Sequence, residues 1–267
     1  MSEHQMIVHK SLETWIRERR GIRADGLSIG FVPTMGALHE GHLSLLRKAR
    51  RENDIVLLSI FVNPTQFDIP EDLKKYPIMM DKDLELAQEV GVDHVITPDK
   101  NSMYPDDYRY RVSESEFSKM LCGAHRPGHF DGVLSVVLKL FNIAGATRAY
   151  FGEKDFQQLQ LIRGMAEAFF LDLEVIGCET LRETDGLAMS SRNLRLSPQE
   201  RELAPSFAQT LASTFANGDD VEKARQQLEE LGFKVDYVED HFGRRFGAVF
   251  LGAVRLIDNV TTKGVSR

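Results

Sequence analysis

Phe31-Val32-Pro33-Thr34-Met35-Gly36-Ala37-Leu38-His39-Glu40-Gly41-His42 decides how the rest of the chain is read. The apolar run Ile29 to Val32 stops at Pro33, and a loop of small residues follows. From His42 onward, apolar residues recur at Leu43, Leu46 and Ala49 with helical spacing. The order is strand, loop, helix. A helix that begins just past a strand presents unpaired N–H groups and the positive end of its dipole above the sheet, which favours an anion such as phosphate. His39 and His42, three residues apart, fall on one side of the first turn and face the same ligand. Each imidazole can donate a hydrogen bond or carry a proton near neutral pH, so the pair suits a triphosphate. A plain surface loop or a metal site has the same His-x-x-His spacing, but the Pro33-Thr34-Met35-Gly36 loop ahead of it favours the anion site.

Outward from this stretch, strand and helix alternate. Ile55 to Val62 is a nearly unbroken branched apolar run, the pattern of a strand buried on both faces of a parallel sheet. Asp81 to Val90 has helical spacing at Leu84, Ala87 and Val90 with Gly91 as its stop, and Asp93 to Pro98 reads as the next strand. Met103 to His129 is irregular, which predicts a long loop or a lid. A helix through Val133, Val136, Val137, Leu140, Phe141 and Ala144 follows, then a strand at Arg148 to Phe151. Another helix carries Phe156, Leu159, Ile162, Met165 and Phe169, and Leu173 to Cys178 is again a strand. Near the N-terminus Ser11 caps a short helix bearing Leu12, Trp15 and Ile16, with Gly21 to end it. The expected fold class is α/β, a doubly wound Rossmann-like parallel sheet. Ligands of such sheets bind beyond the carboxyl ends of the strands, so the loops after Val32, Val62 and Phe151 should converge.

Around Ser190 the character changes. Ser197-Pro198-Gln199-Glu200 is a capping box with proline in the first helical position, and a helix through Leu203, Phe207, Leu211 and Phe215 follows. Val221, Ala224, Leu228 and Leu231 mark one more helix, ended by Gly232. Phe233, Val235 and Tyr237 alternate as a strand, and Ala253 to Asp258 supplies a last one. The expected division is residues 1–184 as a nucleotide- and acid-binding domain and 185–267 as a small α+β domain, with a clamp segment at the boundary.

Composition narrows the function. A chain of 267 residues with 42% hydrophobic and 27% charged residues is ordinary globular material. No apolar run reaches the roughly 20 residues that cross a bilayer, and Met1-Ser-Glu-His-Gln5 has no signal-peptide pattern, so no membrane contact and a cytoplasmic location are expected. Cys122 and Cys178 are too few and too far apart for a disulfide framework or a zinc site, and no residue is assigned as a metal ligand. The net charge of −7 argues against broad contact with nucleic acid.

Three further clusters carry polar chemistry. Asn63-Pro64-Thr65-Gln66 puts two amides at a strand end, which suits a small molecule with hydroxyls or a carboxylate, or equally a plain turn. Gly152-Glu153-Lys154-Asp155-Phe156-Gln157-Gln158 sets a lysine at a strand-to-helix junction with Gln158 one turn beyond, or is a solvated helix start. Met189-Ser190-Ser191-Arg192 offers two hydroxyls and a guanidinium that can wrap a phosphate chain, with Gly186 for mobility, or is an interdomain linker.

Together these stretches resemble the pantoate–β-alanine ligase (pantothenate synthetase) family, in the nucleotidyltransferase superfamily. The resemblance runs from Phe31-Val-Pro-Thr-Met-Gly36 through Ser59 to Phe67, Arg126-Pro-Gly-His-Phe130, Phe151 to Gln158, Asp185 to Asn193 and Arg255-Leu-Ile-Asp-Asn259. It implies condensation of (R)-pantoate with β-alanine, ATP being cleaved to AMP and pyrophosphate through a pantoyl-adenylate. By motif, Met35, Gly36, Ala37, Leu38, His39, Glu40, Gly41 and His42 line the ATP phosphates, with His42 as proton donor. Gly152, Glu153, Lys154, Asp155, Met189, Ser190, Ser191 and Arg192 complete the ATP site, and the Leu181 backbone meets adenine. His39, His42, Lys154, Ser190 and Arg192 are the implied catalytic residues, and Gln66, Gln158 and Asn63 the pantoate-binding ones. Mg²⁺ as companion to ATP and a homodimer are implied likewise. Ile78-Met79 after Tyr76-Pro77 departs from the family, which commonly has arginine there. An adenylyltransferase of the same superfamily would keep the histidine loop but would not need the amide pair. A nucleotide-responsive binding protein would not need intact His39, His42, Lys154 and Arg192.

Overall fold

A computed structural model describes residues 5–68 and 70–261; Met1 to His4, part of the stretch read for a signal pattern, lie outside the described residues. In chain order the elements are β1 (Ile7–His9), α1 (Leu12–Ala24), β2 (Ile29–Thr34), α2 (Glu40–Glu52), β3 (Ile55–Ile60), α3 (Pro70–Lys74), α4 (Met80–Glu89), β4 (His94–Ile96), α5 (Lys100–Met103) and α6 (Cys122–His125). They continue with α7 (His129–Ala144), β5 (Arg148–Gly152), α8 (Phe156–Ala168), β6 (Glu174–Cys178), α9 (Pro198–Leu203), α10 (Pro205–Ala216), α11 (Val221–Glu230), β7 (Lys234–His241), β8 (Arg244–Leu251) and β9 (Val254–Thr261).

Strands β1 to β6 form one parallel sheet in the order β1-β4-β3-β2-β5-β6. Side chains alternate across it. Phe31 and Leu57 enter a core with Trp15, Leu140, Phe141 and Ile162 on one face, while Val32, Val56 and Leu58 pack with Leu43, Leu46 and Ala87 on the other. From β2 the chain builds outward through β3 and β4 on one side, then through β5 and β6 on the other. The switch point of this doubly wound sheet lies between β2 and β5, where the strand ends splay and leave a crevice.

Strands β7, β8 and β9 form a separate antiparallel sheet. Phe207, Leu211, Leu228, Val249 and Leu256 make its own core under α10 and α11. Tyr237, Phe246 and Ala248 pack instead into the core of the large sheet, which ties the two units together.

Several elements differ from the expectation for physical reasons. Helix α1 runs through Gly21 to Ala24 and stops at Gly26, whose φ of +75° breaks the helix. The helix expected from Ser197 to Phe215 is two helices, because Pro205 has no N–H to continue the first. Helix α8 ends at Ala168, so Phe169 stays half exposed. The edge strand β1 is too short to show periodicity. Strand β8 was masked by Arg244-Arg245; Arg245 is buried because its guanidinium donates to both oxygens of Asp240 at 2.8 Å. Residues 103–129 are irregular but pinned down rather than loose. The Gln157 amide donates to the carbonyls of Phe117 (2.8 Å) and Met120 (2.7 Å) and accepts from the Cys122 N–H (3.0 Å).

Candidate active site

The loop after β2 is shaped from below. Thr34 Oγ1 donates to the Ser59 carbonyl (2.8 Å) and accepts from the Gly36 N–H (3.2 Å). The buried Asp83 carboxylate accepts from the N–H groups of Ala37 (2.9 Å) and Leu38 (2.7 Å), and burial pushes its pKa up. A Cβ on Gly36 would sit 2.9 Å from Asp83 Oδ2, and its φ of +81° also favours glycine. Asp83 entered the sequence reading only as part of a helix; its role here depends on a tertiary approach.

The two histidines then cap α2 with each other. His39 Nδ1 accepts from the Gly41 N–H (3.1 Å), and His42 Nδ1 accepts from the His39 N–H (3.4 Å), with the ring centroids 4.1 Å apart. With both Nδ1 atoms spent as acceptors, each neutral ring carries its proton on Nε2. Burial, then the Lys154 charge, pushes the His39 pKa down to about 4. Burial, His39 and Lys154 push that of His42 down to about 3. Both rings line the crevice, and with the pKa of each held low by burial the neutral ring presents its Nε2–H there.

After β3, Asn63 starts a 3-10 turn over Pro64–Gln66. Its amide is 1% exposed and spent inside the protein: Oδ1 accepts from Tyr104 OH (2.7 Å) and Thr65 Oγ1 (3.0 Å), and Nδ2 donates to Gln66 Oε1 (3.0 Å) and the Gly132 carbonyl (3.2 Å). Asn63 therefore aims Gln66, whose NH₂ group has no partner among the described residues, and spends its own amide on support at the crevice wall. Helix α7 closes on this turn only because residue 132 is glycine; a Cβ there would lie 2.3 Å from the Thr65 carbonyl oxygen.

Arg126 and His129, left without a role by sequence reasoning, close the same side. His129 Nδ1 donates to the Gln66 carbonyl (2.7 Å), its Nε2 accepts from Arg126 Nη1 (3.1 Å), and Arg126 pairs with Asp68 at 2.7 Å. Burial and the Arg126 charge push the His129 pKa down to about 3.

After β5, a 3-10 turn over Glu153–Asp155 carries Lys154, whose ammonium lies 3.7 Å from Asp155. Of the neighbouring glutamines, Gln157 is buried in the contacts given above, whereas Gln158 lines the crevice. After β6, residues 181–189 double back: the Met189 N–H donates to the Leu181 carbonyl (3.0 Å), and Arg182 bridges Ala188. Ser190 Oγ then accepts from the Arg192 N–H (3.2 Å). The Arg192 guanidinium has no hydrogen-bond partner among the described residues, and burial with the Arg126 charge holds its pKa below the usual value.

These parts enclose a crevice of about 570 Å³ at the switch point, large enough for a nucleotide and a small acid. Met35, His39, Gly41, His42, Asn63, Gln66, Gly152, Lys154, Asp155, Gln158, Leu181 and Met189 to Arg192 all line it. Five expected ATP contacts do not. Gly36, Ala37 and Leu38 turn toward Asp83, Glu40 faces outward onto Arg47 (2.8 Å), and Glu153 turns back to Arg244 (2.6 Å). The crevice also takes in Tyr76, Glu179 and Thr180, which sequence reasoning did not single out. Ile78, singled out in the sequence as a departure from the resembled family, is 75% exposed and off this wall.

A family model described as pantoate-beta-alanine ligase matches residues 6–261. A pantothenate synthetase of Bdellovibrio bacteriovorus is 56% identical over 93% of this chain and 95% of its own length. One of Legionella pneumophila is 50% identical over 95% of this chain and 99% of its own. A crystal structure of a pantoate-beta-alanine ligase from Francisella tularensis, complexed with beta-gamma ATP and beta-alanine, superposes with a TM-score of 0.90 at 38% identity, covering 97% of this chain and 98% of that one.

Proposed function

The chain belongs to the pantoate-beta-alanine ligase family and joins pantoate to β-alanine with ATP, and we propose that it does so in the crevice between β2 and β5, by way of an acyl-adenylate. A carboxylate is a poor acyl donor because oxide would have to leave. In the first step the pantoate carboxylate attacks the α-phosphorus of ATP, the bond to the bridging oxygen breaks, and pyrophosphate departs. In the second, the neutral amine of β-alanine attacks the acyl carbon, AMP leaves with the electron pair of the broken C–O bond, and the amine loses a proton.

Each residue has a task in this scheme. Gln66 and Gln158 hold pantoate; the Gln66 NH₂ is free to donate because Asn63 occupies its oxygen. The Nε2–H groups of His39 and His42 donate to phosphate oxygens as charge builds on them. Lys154 and Arg192 supply positive charge where pyrophosphate leaves, and Ser190 and Ser191 add hydroxyl donors. The Leu181 backbone meets adenine through its N–H, since its carbonyl already accepts from Met189. Holding both reactants in register is worth up to about 7 to 11 kcal/mol in favourable cases.

Among the described residues no group of three His, Cys, Asp or Glu forms a cage for a metal ion. That fits Mg²⁺ held largely by substrate phosphates, with Asp155, beside Lys154 on the crevice wall, as the protein's carboxylate. When bound, the ion would neutralise charge on the phosphates.

The observation that supports this reading is the convergence of His39, His42, Lys154, Arg192, Gln66 and Gln158 on one wall system, although they come from four separate loops. Exchange of labelled pyrophosphate into ATP tests it. Exchange that requires pantoate and proceeds without β-alanine is expected; exchange that requires β-alanine, or none at all, would refute the adenylate route. We further propose a cytoplasmic homodimer. No helix among the described residues is long and apolar enough to cross a membrane. Light scattering that returns the mass of one chain would refute the dimer.

A further inference from the structure

Lys154 stands on a turn only three residues long, between β5 and α8, and among the described residues its ammonium has one partner, the long contact to Asp155. Where that charge sits is therefore decided by the backbone beneath it. The backbone is held from the other domain. Asn259 on β9, 3% exposed, donates from Nδ2 to the carbonyls of both Glu153 (2.8 Å) and Lys154 (3.0 Å). Its Oδ1 accepts from Arg244 Nη1 at 2.7 Å, which fixes the amide in the orientation that puts its nitrogen on the turn. Arg244 also donates from Nη2 to the Glu153 carboxylate (2.6 Å) and lies 4.0 Å over the Phe156 ring. Two side chains of the small sheet thus tie the lysine turn through three hydrogen bonds, two to Glu153 and one to Lys154.

The neighbouring position on the same strand does a similar service for the opposite wall. Asp258 pairs with Arg182 through two bonds of 2.6 and 3.0 Å, and Arg182 holds the Gly186 carbonyl at 3.1 Å, at the root of the segment that carries Met189 to Arg192. Asn259 itself does not line the crevice, whereas Lys154 does. Its effect on chemistry must pass through the lysine.

We infer that Asn259 is a positioning residue for adenylate formation: it fixes the backbone of Glu153 and Lys154 from the C-terminal sheet and so sets where the lysine charge meets the triphosphate. The inference rests on the phosphate-binding role proposed for Lys154, and its test separates the two.

The experiment measures pantoate-dependent pyrophosphate exchange for Asn259→Ala, Lys154→Ala and the double variant of the full chain. Asn259→Ala should lower the exchange rate at least about tenfold and raise the KM for ATP, while the KM for pantoate stays within about twofold, since a misplacement near 1 Å is enough for losses of this order. In the Lys154→Ala background the second substitution should change the rate by less than about twofold, because a residue acting through the lysine has nothing left to place. Losses that multiply in the double variant overturn the inference, as does an Asn259→Ala protein with wild-type ATP dependence. A Lys154→Ala protein with wild-type rates removes the lysine from the mechanism and the inference with it. Should Asn259→Ala fail to fold, Arg244→Met takes its place in the same cycle with the same expectation. That variant keeps an apolar stem near Phe156 but loses the bonds to Glu153 and Asn259.

Discussion

Gly132→Ala sets helix propensity against tertiary packing, with opposite signs. Residue 132 is the fourth of α7, where replacing glycine by alanine ordinarily stabilises a helix by about 0.5 to 1 kcal/mol. Here the new Cβ would lie 2.3 Å from the Thr65 oxygen, 2.6 Å from the Thr65 carbonyl carbon and 2.8 Å from Gln66 Cα. All three are backbone atoms, so no side chain can swing away. Relief requires the 64–66 turn or the start of α7 to retreat by roughly 1 Å to reach ordinary van der Waals separation. Overpacking of this kind costs about 1 to 3 kcal/mol, which leaves a net destabilisation between about 0 and about 2.5 kcal/mol after the helical gain. The same shift carries Gln66 with it and lengthens the Asn63 bond to the Gly132 carbonyl, now 3.2 Å. A displacement of about 1 Å at a substrate-holding residue can cost on the order of 100-fold in rate. Urea denaturation measures the first effect, and pyrophosphate exchange against pantoate concentration measures the second. A variant more stable than the parent, with unchanged pantoate dependence, would refute the claim that α7 needs a glycine to seat the Gln66 turn.

Other outcomes are expected from the same geometry. His42→Ala and Lys154→Ala should each slow adenylate formation at least about 100-fold in single-turnover experiments without unfolding the chain, the usual scale for losing one transition-state donor. Near-parental rates would exclude either residue. Arg192→Ala should raise the KM for ATP with little effect on that for pantoate, checked by steady-state kinetics with each substrate varied. His39, His42 and His129 are pushed down to about 4, about 3 and about 3, below their ordinary value of 6.5. Below 6.5 the unfolded chain therefore takes up protons that the native chain refuses. The stability linked to these rings is full above 6.5 and falls as pH drops toward their native values, by up to about 1.4 kcal/mol per pH unit for each. His129→Gln should flatten the slope between about pH 6 and about pH 5 by roughly one proton; an unchanged slope in urea denaturation would contradict the assignment.

Much of the fold is legible because its signals are local. The runs at Ile29–Val32 and Ile55–Val62, the spacing from Val133 to Ala144, and the Ser197 to Glu200 cap each encode one element through nearest-neighbour chemistry, and the alternation of such elements leaves few topologies. What was missed lacked such a signal. Arg245 hides a strand because its charge is cancelled by Asp240 only after folding, and β1 acquires an identity only by pairing with β4.

The candidate site divides in the same way. Its residue types and motifs, His39-x-x-His42, Gln66, Lys154, Gln158 and Arg192, stand in the linear sequence, because a site for anions and a small polar acid must carry such donors wherever it is placed. Which atoms face the ligand is another matter. That the Asn63 amide is spent inside the protein, that Gln157 is buried while Gln158 lines the crevice, that Ala37 and Leu38 give their amides to Asp83, and that burial holds the histidine pKa values down all follow from packing. Hydrogen-bond partners and desolvation are set by groups distant in sequence, so the letters name the donors while the folded chain determines which of them remain free.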